Sequence, residues 1–268
     1  MTRILVFLLV LLVAILAFAQ FLRRTGMFFP DKHPAGRWNV NDWVVTPTEH
    51  VFAAGGLQLH AWWFRANDPG APTLIWFHGN AGNLTDRAEM CAELAKRGIS
   101  VFIFDYRGFG RSGGRVSENG TFDDSLAAYD YVHGNTPNDI VLYGESIGGP
   151  YAAYVAKERK PVRAVILENS FPSLRELGNA IYKPLPLGWT APFAMRTTAW
   201  LNEAGVPVLV MHGQRDAVIP YALGRKLFDG LRVPKEMLTS HAGHCEIPLF
   251  EADRYYETVT RFIRKGPA

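Results

Sequence analysis

The sequence predicts a three-layer α/β sandwich on a mostly parallel sheet, with a single apolar helix in front of it. Three observations carry that expectation. From residue 73 onward, short continuous apolar runs alternate with amphipathic segments, the pattern of strands buried on both faces and joined by helical crossovers. Ahead of them, two stretches rich in β-branched and aromatic residues, 44–52 and 57–64, flank Ala53-Ala54-Gly55-Gly56, which reads as a β-hairpin. Foremost, residues 4–22 run ILVFLLVLLVAILAFAQFL with only Gln20 polar.

Taken in order, the apolar run comes first. At about 1.5 Å per residue, a helix of that length covers a hydrocarbon core of roughly 30 Å, so residues 1–24 are expected to form a single-pass membrane anchor. A cleaved signal peptide is the rival reading, because Arg3 precedes the run and Ala17-Phe18-Ala19 has the small-x-small form of a cleavage site. It would make the mature protein secreted or periplasmic. The anchor is preferred because apolar character continues through Phe21 and Leu22 before Arg23-Arg24 ends it. Basic residues flank both ends, so the positive-inside rule does not choose a side of the membrane.

Those same arginines explain the charge. The chain has 28 Lys and Arg against 25 Asp and Glu, and Arg3, Arg23 and Arg24 account for the whole excess. The rest is balanced and offers no basic face for nucleic acid. Cys91 and Cys245 are too few for a disulfide framework in 268 residues and form no C-x-x-C pair.

Residues 25–43 read as a connector and 44–268 as one domain. After the hairpin come the strand runs TLIWF, SVFIF, IVLY, AVILE, PVLVMH and EMLTS. Helices are expected near 86–97, 121–133, 146–159, 222–231 and 251–264. Residues 169–205 carry Pro172, Pro184, Pro186, Pro192, Trp189 and Trp200 and are too long for an ordinary strand connection, so a small cap is expected there. Trp62, Trp63, Phe64 and Trp76 lie in strands and should fill the core. For Phe171, Trp189, Phe193 and Trp200 in the cap, packing onto the sheet and lining an acyl pocket are both open.

The chemistry centres on Gly144-Glu145-Ser146-Ile147-Gly148, between the run IVLY and a helix. G-x-S-x-G at a strand-to-helix turn makes a nucleophile elbow that lifts the serine hydroxyl above the sheet. That hydroxyl needs an imidazole to accept its proton, and the imidazole needs a carboxylate to hold it. In hydrolases with such an elbow the chain order is serine, acid, histidine, each after a strand. Asp216 follows PVLVMH and His244 follows EMLTS, so Ser146, Asp216 and His244 are the expected triad. Glu168, at the end of AVILE, is the competing acid. Two donors are needed for the oxyanion: the amide of Ile147 and, from the loop His78-Gly79-Asn80-Ala81-Gly82-Asn83 after TLIWF, the amide of Asn80. His78 and Asn83 are expected to order that loop, with Asn83 capping the next helix. His212, His241 and His244 lack a matched ligand spacing, so no metal is expected, and Cys245 is expected to pack rather than react.

Together HGNAGN, FDYRGFGRSGG, GESIGG, LENSF, HGQRDAVIP and AGHCE resemble the α/β-hydrolase superfamily across residues 44–264. Within it they are similar to N-terminally membrane-anchored α/β-hydrolase-domain proteins related to serine aminopeptidase-like hydrolases and protein depalmitoylases. The resemblance implies a serine hydrolase without metal or organic cofactor, with Ser146 as nucleophile, Asp216 as acid and His244 as base, and a supporting role for Asp105-Tyr106-Arg107-Gly108. Such proteins include esterases, lipases and thioesterases. The expected activity is therefore hydrolysis of carboxylic esters or thioesters of small-molecule or lipid-like acyl substrates. A serine aminopeptidase, with Glu176 or Glu203 anchoring the substrate amine, is the alternative enzyme. A non-catalytic, membrane-tethered binding protein is the alternative from another class. Neither composition nor motif speaks to oligomeric state.

Overall fold

The computed structural model describes residues 4–7, 13, 27–181 and 195–268. In chain order the elements are β1 (Phe29–Pro30), β2 (Thr48–Ala54), β3 (Leu57–Phe64), β4 (Thr73–Phe77), β5 (Ala81–Gly82), α1 (Ala88–Lys96), β6 (Ser100–Phe104) and α2 (Glu118–Asn135). There follow β7 (Ile140–Glu145), α3 (Gly148–Glu158), β8 (Ala164–Glu168), α4 (Leu174–Ile181), α5 (Thr197–Ala204), β9 (Val208–Gly213), α6 (Tyr221–Gly230), β10 (Lys235–Ser240), α7 (Ile247–Phe250) and α8 (Ala252–Lys265).

Eight strands form one sheet in the order β10-β9-β8-β7-β4-β6-β3-β2. The hairpin β2–β3 joins antiparallel and β3 meets β6 antiparallel, while β6, β4, β7, β8, β9 and β10 run parallel. Strands β4, β6, β7, β8 and β9 are buried at every position, because helices cover both faces and leave no polar side to alternate with. Residues from α2, α3, α5 and α6 fill one apolar layer, and α1 and α8 close the other. Trp62, Trp63, Phe64 and Trp76 are fully buried between them, as strand aromatics should be.

Several boundaries differ from the sequence reading, each for a local reason. The first strand of the hairpin starts at Thr48 rather than at 44, just after Pro47, which has no amide to donate to a ladder. Ala53 and Ala54 pair with β3, so the turn is only Gly55-Gly56, both with positive φ, the primed geometry that matches strand twist. The helix expected from residue 86 opens with a 3₁₀ turn, Leu84–Arg87. Asn83 caps it through a reciprocal capping box with Asp86. The helix expected from residue 146 begins at Gly148, because Ser146 occupies the turn itself.

Residues 25–43 are not a free connector. From Phe29 onward they lie on the domain, with β1 parallel to β5 and Lys32 bridged to Gly110. The cap holds α4 and α5. Trp200 packs edge-on to Phe122 and Tyr154 and Phe171 is buried in the core, whereas Trp189 and Phe193 lie outside the described residues. Most of the run expected to form an anchor, 4–22, lies outside them too. Ile4, Leu5, Val6 and Phe7 are helical and exposed, and among the described residues no helix is long and apolar enough to cross a membrane.

Candidate active site

Parallel strands end together, so the loops after β4, β7, β8, β9 and β10 meet along one edge of the sheet. The chain carries its reactive residue types there. Ser146 sits between β7 and α3 with φ of 55°, a left-handed conformation that costs a non-glycine residue energy. Two close approaches make the turn possible. A Cβ on Gly148 would lie 1.9 Å from the carbonyl oxygen of Phe77, and one on Gly144 would lie 2.5 Å from the Cα of Gly149. The start of α3 is thereby pressed against the end of β4 and its loop. The Ser146 amide donates to the carbonyl of Glu168 at 2.8 Å, fixing the turn to β8.

Ser146 Oγ lies 3.1 Å from His244 Nε2, and His244 Nδ1 lies 2.8 Å from Asp216 Oδ2. Both distances are within hydrogen-bond reach, so the structure brings the three expected residues into one linked row. Asp216 is buried. Its Oδ1 accepts from the amides of Val218 and Ile219, both at 2.8 Å. Burial opposes its ionisation, but hydrogen bonds from His212 and His244, the charge of His244, and a hydrogen bond from Asn169 outweigh it and hold the carboxyl well below its usual range. A carboxylate kept charged and aimed at Nδ1 holds the imidazole with Nε2 toward the serine.

Two partners of Asp216 escaped the sequence reading. Asn169 Nδ2 donates to Oδ2 at 2.6 Å. His212 Nε2 donates to the carbonyl of Ile219 at 2.9 Å and lies 3.4 Å from the same Oδ2. The signal for Asn169 was its place directly after β8, one residue beyond the competing acid. Glu168 itself turns away from the row. Its Oε2 accepts from Tyr143 at 2.5 Å, Tyr143 lies 2.7 Å from the hydroxyl of Tyr255, and burial raises the Glu168 carboxyl to about 8. Of the non-glycine residues with positive φ, Asn169 and Cys245 directly adjoin this row as Ser146 does. Backbone strain is thus gathered around the three side chains.

Asn169→Ala is expected to lower kcat roughly tenfold with little change in KM, since one hydrogen bond to a charged group is worth about 1.5–3 kcal/mol. Asn169→Gly relieves the positive φ while removing the same donor. Equal loss of turnover in both variants assigns the effect to the hydrogen bond, and recovery in the glycine variant assigns it to backbone strain.

The loop after β4 is tied down on all sides. His78 Nδ1 lies 2.7 Å from the carbonyl of Gly79, and Tyr106 donates to the carbonyl of His78 at 3.2 Å. Burial, with Arg87 nearby, pushes the His78 imidazole down to about 3, so it is neutral. Asp105 accepts from the Leu84 amide at 2.8 Å, the supporting role expected of its segment. The N-terminal strap closes the other side. Asn80 Nδ2 donates to the carbonyl of Met27 at 3.0 Å, and the amides of Phe29 and Asp31 donate to Asn80 and Gly82 at 2.8 and 3.0 Å.

Glu145, beside Ser146, accepts from Arg87 Nη2 at 2.6 Å, from Arg87 Nε at 2.9 Å and from Trp76 at 3.2 Å. Arg107 forks onto Asp124, and Arg111 reaches Glu49 at 2.9 Å, so both are engaged within the protein. Burial pushes the Cys245 thiol well above its ordinary value, which leaves little thiolate to react. Among the described residues, no group of three or more His, Cys, Asp or Glu is arranged to hold a metal.

A sheet of this order, with a serine at the strained turn after β7 and a histidine and an aspartate reaching it from the last two strand ends, is the arrangement of an α/β-hydrolase. Comparison agrees and narrows it. A family profile described as serine aminopeptidase, S33, matches residues 69–196. An uncharacterised protein of Mycobacterium tuberculosis is 32% identical over 235 residues, covering 86% of this chain and 80% of its own. The protein Bem46 of Schizosaccharomyces pombe is 34% identical over 206 residues, covering 73% and 68%. An esterase of Pyrococcus furiosus superimposes with a TM-score of 0.73 at 19% identity, over 89% of this chain and 98% of that one. The chain belongs to the α/β-hydrolase family, among the relatives of Bem46.

Proposed function

We propose that the protein hydrolyses carboxylic esters or thioesters of lipid-like or acylated substrates through an acyl-enzyme, tethered to a membrane by residues 4–22. The observation that carries the reading is the row Ser146–His244–Asp216, with 3.1 and 2.8 Å between its members. His244 Nε2 takes the Ser146 proton as Oγ attacks the acyl carbon. The amides of Asn80 and Ile147 receive the negative charge on the former carbonyl oxygen. The imidazolium, stabilised by Asp216, returns the proton to the departing alkoxide or thiolate. Water then enters, gives a proton to His244 and attacks the acyl-serine, freeing the carboxylic acid and restoring Ser146.

Although the matching profile is named for a serine aminopeptidase, the esterase among the structural neighbours favours ester chemistry. So does the cap. Glu176 is paired with Lys226 at 2.6 Å and Glu203 lies 3.6 Å from Lys157, so the two acids that would anchor a substrate amine are already engaged. The anchor is supported by the exposure of Ile4, Leu5, Val6, Phe7 and Val13, apolar side chains the domain does not cover. Purified protein treated with a fluorophosphonate should carry a single adduct on Ser146, located by peptide mass spectrometry. On an ester panel, turnover should rise from acetyl toward medium and long acyl chains. A steady fall with acyl length would sink the lipid-like assignment while leaving the hydrolase standing.

A further inference from the structure

From the placement of exposed apolar side chains we infer that the rim of the active site docks on the lipid bilayer itself. The inference rests on the membrane-tethered reading above. Among the described residues after the N-terminal run, seven large apolar side chains are exposed: Phe29, Val44, Val51, Ile181, Val218, Leu249 and Phe250. Five of them belong to the catalytic edge. Phe29 pairs with Ala81 in the loop after β4. Ile181 ends the cap helix after β8, and Val218 is the residue whose amide holds Asp216. Leu249 and Phe250 end α7, just past His244, and are 76% and 72% exposed. Ala81 and Leu249 both line a cleft of about 740 Å³ that runs past Arg87, Glu145 and Cys245 between α1 and α8, so the loop that pairs with Phe29 and the helix α7 lie close together on this edge. Val44 and Val51 belong to the far side of the sheet, at and before its outermost strand β2.

An aqueous protein does not usually gather its exposed apolar side chains along one edge. The occupant is identified by where the chain leads. Met27 is held at Asn80, and Leu22, the last residue of the apolar run, is five residues earlier. Fully extended, that gap spans at most about 18 Å. An anchor in the bilayer therefore delivers the loop after β4 to the membrane surface. The strap leaves the loop no freedom to swing away, because its backbone is bonded to Asn80 and Gly82. The five side chains then face lipid, and an acylated substrate passes from bilayer to Ser146 without crossing water.

The test uses the full chain in phospholipid vesicles, in a Cys245→Ser background with Cys91 buried, spin-labelled singly at Phe29→Cys, Leu249→Cys or Val51→Cys. Docking predicts that the first two labels collide with lipid-dissolved oxygen and are shielded from a water-soluble nickel chelate, while the third does the reverse. This readout needs no turnover, so it can fail while the hydrolase reading stands. A label at 249 as open to the chelate as the one at 51 overturns the proposal. Spin–spin coupling between labels at 249 on separate chains also overturns it, and assigns the rim to a second copy. A second variant reads the consequence. Leu249→Glu with Phe250→Glu should slow cleavage of a vesicle-resident long-chain ester about tenfold or more, as expected for two large side chains losing apolar burial. Turnover of a short soluble ester should be unchanged, and an equal loss on both esters would count against docking.

Discussion

Ser146→Ala is expected to reduce kcat on any ester substrate by on the order of 10⁴-fold or more and to abolish fluorophosphonate labelling. No other oxygen can take its place. The hydroxyl sits at the elbow because β7 ends there, because φ at Ser146 is 55°, and because Gly144 and Gly148 admit backbone atoms where a Cβ would collide. Alanine meets the same backbone strain as serine and loses only the 3.1 Å hydrogen bond to His244. Thermal unfolding should therefore shift by no more than a few degrees, since one such bond is worth about 1 kcal/mol. The pairing of near-complete loss of turnover with a nearly unchanged Tm is the signature of a nucleophile. If the variant kept its turnover, Ser146 would not be the nucleophile; if no substrate of either protein were found while a ligand bound equally to both, the non-catalytic reading would stand in its place.

What the sequence made legible and what it hid divide along the length scale of the forces involved. The order of strands and helices is local, because burial on both faces writes itself as unbroken apolar runs such as SVFIF and AVILE. The elbow is local too, since the strain at Ser146 demands its glycines within two residues on either side. Asp216 and His244 were found by their place after strand ends. Asn169 was missed because its bond to Asp216 spans 47 residues and an asparagine after a strand is ordinarily just a turn former. The strap was read as a connector for a similar reason. Its attachment uses the strap's own backbone, bonded to the backbone of Asn80 and Gly82 and to the side chains of Asn80, Asn83 and Thr85, so the strap's side chains carry no signature of it. Glu145 occupies a variable position of G-x-S-x-G, and only the fold shows that Arg87 waits for it 58 residues away.

That ion pair carries the second large effect. Arg87→Leu should destabilise the protein by about 3–5 kcal/mol, because removing one partner strands the other as a buried charge. The side chains of Arg87 and Glu145 are only 13% and 5% exposed, so water can replace little of what is lost. In the wild-type protein, burial alone would raise the Glu145 carboxyl, but the charge and hydrogen bonds of Arg87 reverse this and lower it to about 2. A carboxyl depressed in the folded state contributes stability above its unfolded value of roughly 4.3, and that contribution is lost as pH falls toward 2. In Arg87→Leu the sign inverts. Burial then raises the Glu145 carboxyl above its unfolded value, and acidification from neutrality toward pH 5 relieves the stranded charge. Urea unfolding should therefore show the gap between the two proteins narrowing as pH is lowered from 7, and a gap that stays constant would place the loss elsewhere. Turnover should suffer as well, since Arg87 also donates to the carbonyl of Ala81 at 3.1 Å and so joins the residue beside the nucleophile to the loop that carries Asn80. Arg87→Leu with Glu145→Leu removes both charges together. It should recover much of the stability while leaving that loop untied, so that folding returns further than kcat.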